Sequence, residues 1–370
     1  MIVGVLKEPA FEPRVSLLAE SAATLTKKNM EVWIESGAGT GSFCGDDDYQ
    51  KAGAVIKTRK EIMGGADILL CIHHEDIPAA LRDKILIGIY QPLYNPGLMK
   101  EWASRNLVSF SLDMLPRTTR AQSMDVLSSQ ANIAGYKSVL LAASEYPRYF
   151  PMFMTAAGTI PPAKVLILGA GVAGLQAIAT AKRLGAVVEV FDTRPAAKEE
   201  VLSLGAKFID VEGAADASQA GGYAVQQSEE FQQKQKEKIA ESLIKADIVI
   251  TTAQIPGKKA PVLISKEMIA SMKKGSLIID LASATGGNTA LTKNDETILA
   301  GGIRIIGNSN LSASMPSDAS RLYARNLLNF LQLIIDKDNK INLNYQDELV
   351  NGCCITRNGE LVHEKIKSIQ

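Results

Sequence analysis

The stretch KVLILGAGVAGLQAIATAKRLGAVVEVFD, residues 164–192, constrains the fold more than any other part of the chain. KVLIL is a continuous apolar run that reads as a strand buried on both faces, and VVEVFD reads as a second one ending on Asp192. Between them Gly169, Gly171 and Gly174 open an alanine-rich helix. Three glycines at this spacing carry little weight alone. In a strand–turn–helix–strand context they form the dinucleotide fingerprint. Gly169 permits the tight turn, Gly171 lets the backbone approach a pyrophosphate, and Gly174 lets helix and strand pack closely. The pyrophosphate is held by free N–H groups and the dipole at the helix N-terminus. A carboxylate at Asp192 accepts hydrogen bonds from the adenosine ribose hydroxyls and repels a 2′-phosphate, so NAD(H) rather than NADP(H) is expected. Arg194 could suit a phosphate, but Asp192 occupies the reading position.

The fingerprint belongs to a longer alternation. MIVGVL, MEVWIES, DILLCI, ILIGIY and LVSFSL read as buried strands in the first 115 residues, with helices such as SLLAESAATLTKKN and GLMKEWASRN between them. A second series reads KVLIL, VVEVFD, AKFIDV, DIVITTA, SLIIDLA and IRIIG. Strands alternating with helices argue for parallel, doubly wound sheets. The fold class expected is therefore α/β, with two doubly wound Rossmann-like domains joined by two long helices. One helix runs from about Gln122 to Glu145 and the other from Ser317 to Lys337. One enters and one leaves the second series, so that series is read as an insertion. Residues 1–128 plus 318–370 would form a discontinuous domain, and 129–317 the nucleotide-binding one. The segment from Glu212 to Lys238 fits neither pattern and reads as a long uncommitted loop, either a lid or an excursion. Near the end, Asn358-Gly359 favours a tight hairpin turn.

Composition narrows the function. Lys plus Arg and Asp plus Glu number 40 each, so nothing draws the whole chain onto nucleic acid or an anionic membrane. No run of about 18 apolar residues is present and the N-terminus does not resemble a signal peptide, so direct membrane insertion is not expected. Cys44, Cys71, Cys353 and Cys354 show no CxxC spacing, and with three histidines in all neither a disulfide framework nor a zinc site is indicated. His73 and His74 read as ordinary residues at a strand end. The expected compartment is the cytosol.

A second polar constellation lies in PRTTRAQSMDVLSSQANIAGY, residues 116–136, which packs Arg117, Arg120, Gln122, Asp125 and Ser128 together without a histidine. From the residues alone it could equally be a cap and salt bridge at the start of a long helix. With RTTRAQSMDVLSSQANIAGYKSVLLAA, FPMFMTAAGTIPPAKVLILGAGVAGLQ and DIVITTAQIPGKKAPVLI in view, the chain resembles the NAD(H)-binding component, domain I, of proton-translocating nicotinamide nucleotide transhydrogenases, and more distantly alanine dehydrogenase. The resemblance covers nearly the whole sequence. It implies that Arg117, Gln122, Asp125 and Ser128 clasp the nicotinamide end of NAD(H), Arg117 pairing with Asp125 and Gln122 bonding the ribose. It further implies that Val172 lies over the pyrophosphate turn and that Asp192, Thr193 and Arg194 hold the adenosine ribose. Gly222, Tyr223 and Gln235 would belong to a mobile lid. Gln254 replaces a leucine in the family's TTA-leucine-IPG element on the adenine side, and Gln226 and Gln227 stand where a methionine is usual.

The chemistry agrees with that resemblance. Oxidising an amine or alcohol moves a proton as well as a hydride and needs a general base. Passing hydride between two nicotinamide rings moves no proton at the site and needs only alignment. In alanine dehydrogenase the substrate site uses an arginine, a lysine, a histidine and an aspartate. Here the matching positions are Arg14, His73, Gln91 and Ala284, so three of the four are lost. The expectation is an NAD(H)-binding subunit that exchanges hydride, with Re- and Si-face specificity, with NADP(H) held on a partner domain III. By the same resemblance it would be a homodimer, peripheral on the cytoplasmic side of the inner membrane through transhydrogenase membrane subunits. An alanine dehydrogenase-like enzyme and a non-catalytic NAD-binding sensor are the alternatives.

Overall fold

The computed structural model describes residues 1–211, 213 and 228–369. The chain divides into two compact units, one of residues 1–130 and 313–370, the other of residues 131–312.

The first unit is built on an eight-stranded sheet in the order Glu360–Leu361, Cys354–Arg357, Val108–Ser111, Ile85–Gly88, Ile68–Leu70, Ile2–Val5, Glu31–Glu35 and Val55–Lys57. The six N-terminal strands are parallel, and the two C-terminal ones add antiparallel at one edge. All five strands expected in this region are present. Their runs are apolar because helices cover both faces of the sheet. The two C-terminal strands turn at Asn358 and Gly359, with φ of 52° and 77°, the left-handed pair that a two-residue hairpin requires. The helix Pro316–Ile334 lies within this unit and buries Tyr323, Leu327, Phe330 and Ile334 in the core with Val3, Ile34 and Phe110.

The second unit carries a seven-stranded sheet in the order Lys207–Phe208, Val187–Phe191, Lys164–Leu168, Ile248–Thr251, Leu277–Asp280, Ile303–Gly307 and Thr297–Ala300. It is parallel except for the last strand. The strand Lys164–Leu168 has Val187–Phe191 on one side and Ile248–Thr251 on the other. Chain order reverses there, and in open α/β sheets that is the point where ligands bind beyond the carboxyl ends of the strands. Gly169 is the first residue past that end. The helix Val126–Glu145 leads into this unit, and its Gly135 passes so close to the glycine-rich helix that a Cβ would lie 2.1 Å from the Ala173 carbonyl oxygen. A short exposed hairpin, Phe153–Thr155 with Gly158–Ile160, completes the unit.

The uncommitted segment is shorter than the sequence suggests. Glu229–Leu243 is an α-helix, started by the Ser228 hydroxyl accepting the Phe231 N–H at 3.2 Å, with Phe231, Gln235, Ile239 and Leu243 buried at four-residue spacing. Gln235 is therefore a buried helical residue and not part of a loop. Gly222, Tyr223, Gln226 and Gln227 lie outside the described residues. Among the described residues no helix is long and apolar enough to cross a membrane.

Candidate functional site

The glycine-rich turn has a distinct reason for each glycine. Gly169 sits at φ +107°, a region closed to other residues, and a Cβ there would lie 2.4 Å from the Thr252 hydroxyl. At Gly174 a Cβ would fall 1.9 Å from the Gly169 carbonyl oxygen, so the helix can approach the turn only without a side chain. Gly171 is different: a Cβ would meet nothing within 4 Å. The middle glycine faces open space at the first turn of the helix Val172–Arg183, where unpaired N–H groups and the dipole favour an anion. Val172 is the first helical residue and is 38% exposed beside that space.

Asp192 stands at the end of the neighbouring strand and is already engaged. Its Oδ2 accepts the Ala170 N–H at 2.7 Å, which ties the strand end to the turn. Its Oδ1 accepts the Arg194 N–H at 2.8 Å and the Arg194 Nε–H at 2.9 Å, and Oδ2 accepts from Arg194 Nη2 at 2.8 Å. The Arg194 guanidinium thus folds back over the carboxylate in a bidentate grip, and this bond raises the arginine's pKa. Thr193 lies between the two, half-buried.

The loop after strand Ile248–Thr251 closes the other side of the turn. The Thr252 hydroxyl donates to the Gly169 carbonyl at 3.1 Å. Gln254 is exposed and turns its carboxamide onto the Leu281 carbonyl at 3.2 Å, a bond that a leucine at this position could not make. Beneath the loop lie Asp280 and Asn288, fully buried, which the sequence reading passed over. The only signal was an asparagine placed after Gly286-Gly287, shortly beyond a strand-terminal aspartate.

In the first unit the segment 117–128 is anchored at its middle and exposed at its ends. Ala121 and Met124 of the 3-10 turn Thr119–Met124 are buried in the core. The Ser123 carbonyl accepts from Asn326 Nδ2 at 2.8 Å and Asn329 Nδ2 at 2.9 Å, and Arg120 pairs with Asp347. This leaves Arg117 and Gln122 exposed on the same short turn. Asp125 caps the helix Val126–Glu145: its carboxylate accepts the Ser128 N–H at 2.9 Å and the Ser128 hydroxyl at 2.6 Å. The helix-cap role weighed for this cluster is thus real for Asp125 and Ser128.

Also in this unit, Arg14 is buried and held by Glu12, with Nε to Oε1 at 2.7 Å and Nη2 to Oε2 at 2.5 Å, and by Gln130 Oε1 at 2.8 Å. His73 Nε2 lies 2.8 Å from Glu12 Oε2. Burial pushes the Glu12 carboxyl up, but the bonds from Arg14 and His73 outweigh it and hold the pKa at about 2. Glu8, beside them, accepts the N–H groups of Ile72 at 2.6 Å and His73 at 3.0 Å, yet burial dominates and lifts its pKa to about 7. All four cysteines are buried and free.

A parallel sheet with a glycine turn at its switch point and a carboxylate on the next strand defines a dinucleotide-type nucleotide-binding protein. Comparison with known proteins is more specific. The chain matches the family description "Alanine dehydrogenase/PNT, N-terminal domain" over residues 4–134 and "Alanine dehydrogenase/PNT, C-terminal domain" over residues 138–364. It is 45% identical over 364 residues to the first part of NAD(P) transhydrogenase subunit alpha from Rhodospirillum rubrum, covering 95% of each chain. It is 41% identical to the same subunit of Rickettsia prowazekii, over 100% of this chain and 98% of that one. A crystal structure of transhydrogenase from Sinorhizobium meliloti superposes with a TM-score of 0.89 at 45% identity, covering 98% of this chain and all of the other. The chain belongs to the alanine dehydrogenase/PNT family and is a homologue of transhydrogenase alpha subunits. An L-alanine dehydrogenase structure at 22% identity, with a TM-score of 0.81 over 100% of this chain and 98% of that one, shares the fold.

Proposed function

We propose that the chain is the NAD(H)-binding subunit of a proton-translocating transhydrogenase, exchanging hydride stereospecifically with NADP(H) held by a partner domain III. The residues suit such a nucleotide: the open space at Gly171 and the first turn of helix Val172–Arg183 fit a pyrophosphate, and Asp192 suits a ribose diol. Gly169, Gly174 and Val172 shape the turn. Thr193, Arg194 and Gln254 line the adenosine side, and Gln235 supports it from the helix Glu229–Leu243. Gly222 and Tyr223 are assigned to a lid over the nucleotide by the resemblance alone. Bound nicotinamide supplies or accepts the hydride. Arg117, Gln122 and Asp125, with Ser128, orient the ring and its ribose.

One observation carries the choice of transhydrogenase over amino-acid dehydrogenase. Arg14, the one residue kept from the dehydrogenase substrate set, has its guanidinium taken by Glu12 and Gln130, and His73, at the lysine position, is taken by the same Glu12. The chain offers alignment without a proton acceptor, which suits hydride transfer between two rings. Coupling to proton movement, the membrane subunits, the homodimer and the peripheral place on the cytoplasmic side of the inner membrane follow from the same reading. They are supported by the names of the transhydrogenase subunit relatives.

The test is hydride exchange from NADH to NADP⁺ bound on a purified domain III. Wild type is expected to exchange rapidly. Asp125→Asn keeps the helix cap, since asparagine caps about as well as aspartate, and is expected to lose about tenfold or more of the rate while still binding NADH. NADH binding without exchange on any domain III would overturn the proposal.

A further inference from the structure

The loop that closes the glycine turn is held by one side chain. Asn288 accepts the Ala253 N–H at 3.0 Å and donates to the carbonyls of Ala253 at 2.8 Å and Pro261 at 2.9 Å. A single carboxamide therefore satisfies both backbone groups of Ala253, as a neighbouring strand would. Asn288 is itself fixed. Gly286 and Gly287, with φ of 106° and 79°, turn the chain into place, and the Asn288 N–H donates to Asp280 Oδ2 at 2.7 Å. That carboxylate also accepts the Thr292 hydroxyl at 2.6 Å and, through Oδ1, the Ala282 N–H at 2.9 Å. Asp280 and Asn288 are both 0% exposed. On the far side of Ala253, the hydroxyl of the adjoining Thr252 bonds the Gly169 carbonyl and sits where a Cβ of Gly169 would fall. A continuous chain of polar contacts runs from the end of strand Leu277–Asp280 to the glycine-rich turn, within one compact unit.

We propose that Asn288 is a positioning residue for the adenosine and pyrophosphate half of the nucleotide: it pins residues 252–254 so that Thr252 seats the Gly169 turn. This deepens the NAD(H)-binding reading and rests on it. The ligand class is an adenosine 5′-phosphate, and the nicotinamide end plays no part in the recognition.

The experiment measures NADH and AMP binding to the full chain for wild type, Asn288→Ala and Asn288→Asp, with hydride exchange on domain III alongside. Both variants are expected to bind NADH and AMP about tenfold or more weaker, by the same factor for each ligand, with the loss falling on KM for NADH and not on kcat. In Asn288→Asp the new carboxyl is acceptor-only when ionised, and it faces two carbonyls with the Asp280 carboxylate close by. Once protonated it accepts one bond and donates one. AMP affinity should therefore recover on acidification in this variant and stay flat in Asn288→Ala. Folded variants that bind both ligands like wild type overturn the inference, as does a loss confined to NADH. If Asn288→Ala does not fold, the pH response of Asn288→Asp decides: recovery supports the role, and a flat response overturns it. Wild-type protein that binds neither NADH nor AMP overturns the underlying reading, and the inference with it.

Discussion

Replacing Gly171 and Gly174 separately by alanine should produce opposite failures. At Gly174 the added methyl would lie 1.9 Å from the Gly169 carbonyl oxygen, 2.9 Å from its carbon and 3.6 Å from Ile167 Cγ2. A carbon rests against a carbonyl oxygen at about 3.3 Å, so the helix Val172–Arg183 or the turn must move by more than about 1 Å. The obstacle is backbone on both sides, and no side chain can swing away. Overpacking of this kind costs about 1–3 kcal/mol. A unit of this size loses about 2–4 °C of Tm per kcal/mol, which gives a fall of about 2–12 °C for Gly174→Ala. At Gly171 the backbone has φ −73° and ψ −172°, open to any residue, and the methyl touches nothing within 4 Å. Gly171→Ala should therefore keep its Tm to within about 2 °C while the methyl fills the approach to the helix N-terminus. NADH affinity should then fall by about tenfold or more. Differential scanning calorimetry and NADH fluorescence titration on both variants read the two effects independently. Wild-type NADH affinity in Gly171→Ala would refute the assignment of that space to the pyrophosphate. An unchanged Tm in Gly174→Ala would refute the packing argument.

Three further outcomes follow from other parts of the molecule. Asp192→Asn removes a charge that organises both Arg194 and the Ala170 N–H, and should weaken NADH binding about tenfold to a hundredfold while narrowing the preference over NADPH; calorimetric titration with both nucleotides checks it. Glu8 and Glu12 should give the first unit pH dependences of opposite sign. Glu8, raised from 4.5 to about 7, stabilises most below pH 4.5 and loses that contribution as pH rises to about 7. Glu12, lowered to about 2, contributes above pH 4.5 and loses it as pH falls towards 2. The Tm of Glu8→Gln relative to wild type should therefore climb between pH 4.5 and 7, and a constant difference would refute the burial argument. Asp125→Ala, unlike Asp125→Asn, removes the cap as well and should cost about 1 kcal/mol in urea-unfolding stability.

What the sequence made legible has a common physical basis. Strands such as Lys164–Leu168, Ile248–Thr251 and Leu277–Asp280 are covered on both faces, so their apolar runs stand out against any background. Val55–Lys57 and Thr297–Ala300, at sheet edges, are partly exposed and lack such runs, and neither was foreseen. The helix Glu229–Leu243 was hidden because one of its four buried positions is Gln235, which interrupts an otherwise apolar stripe. In the site, the glycine turn was readable because each glycine answers a steric demand. The fold-back of Arg194 onto Asp192 was not, because it depends on the turn taken between two residues that pattern alone leaves independent. Asn288 was invisible for a related reason: its partners Ala253 and Pro261 contribute only backbone atoms, which leave no trace in residue type.

The grip of Arg194 on Asp192 has a kinetic consequence. Both carboxylate oxygens already hold guanidinium protons, so a ribose diol reaches Asp192 as a competitor, against a ligand tethered two residues away and never diluted. Apparent affinity is then the intrinsic affinity scaled by the fraction of molecules in which the guanidinium has let go. The same tether returns whenever the diol loosens and hastens departure. A subunit whose nucleotide must leave after every turnover is limited by residence time as much as by tightness. The residue beside the reading carboxylate thus acts as a built-in eluent.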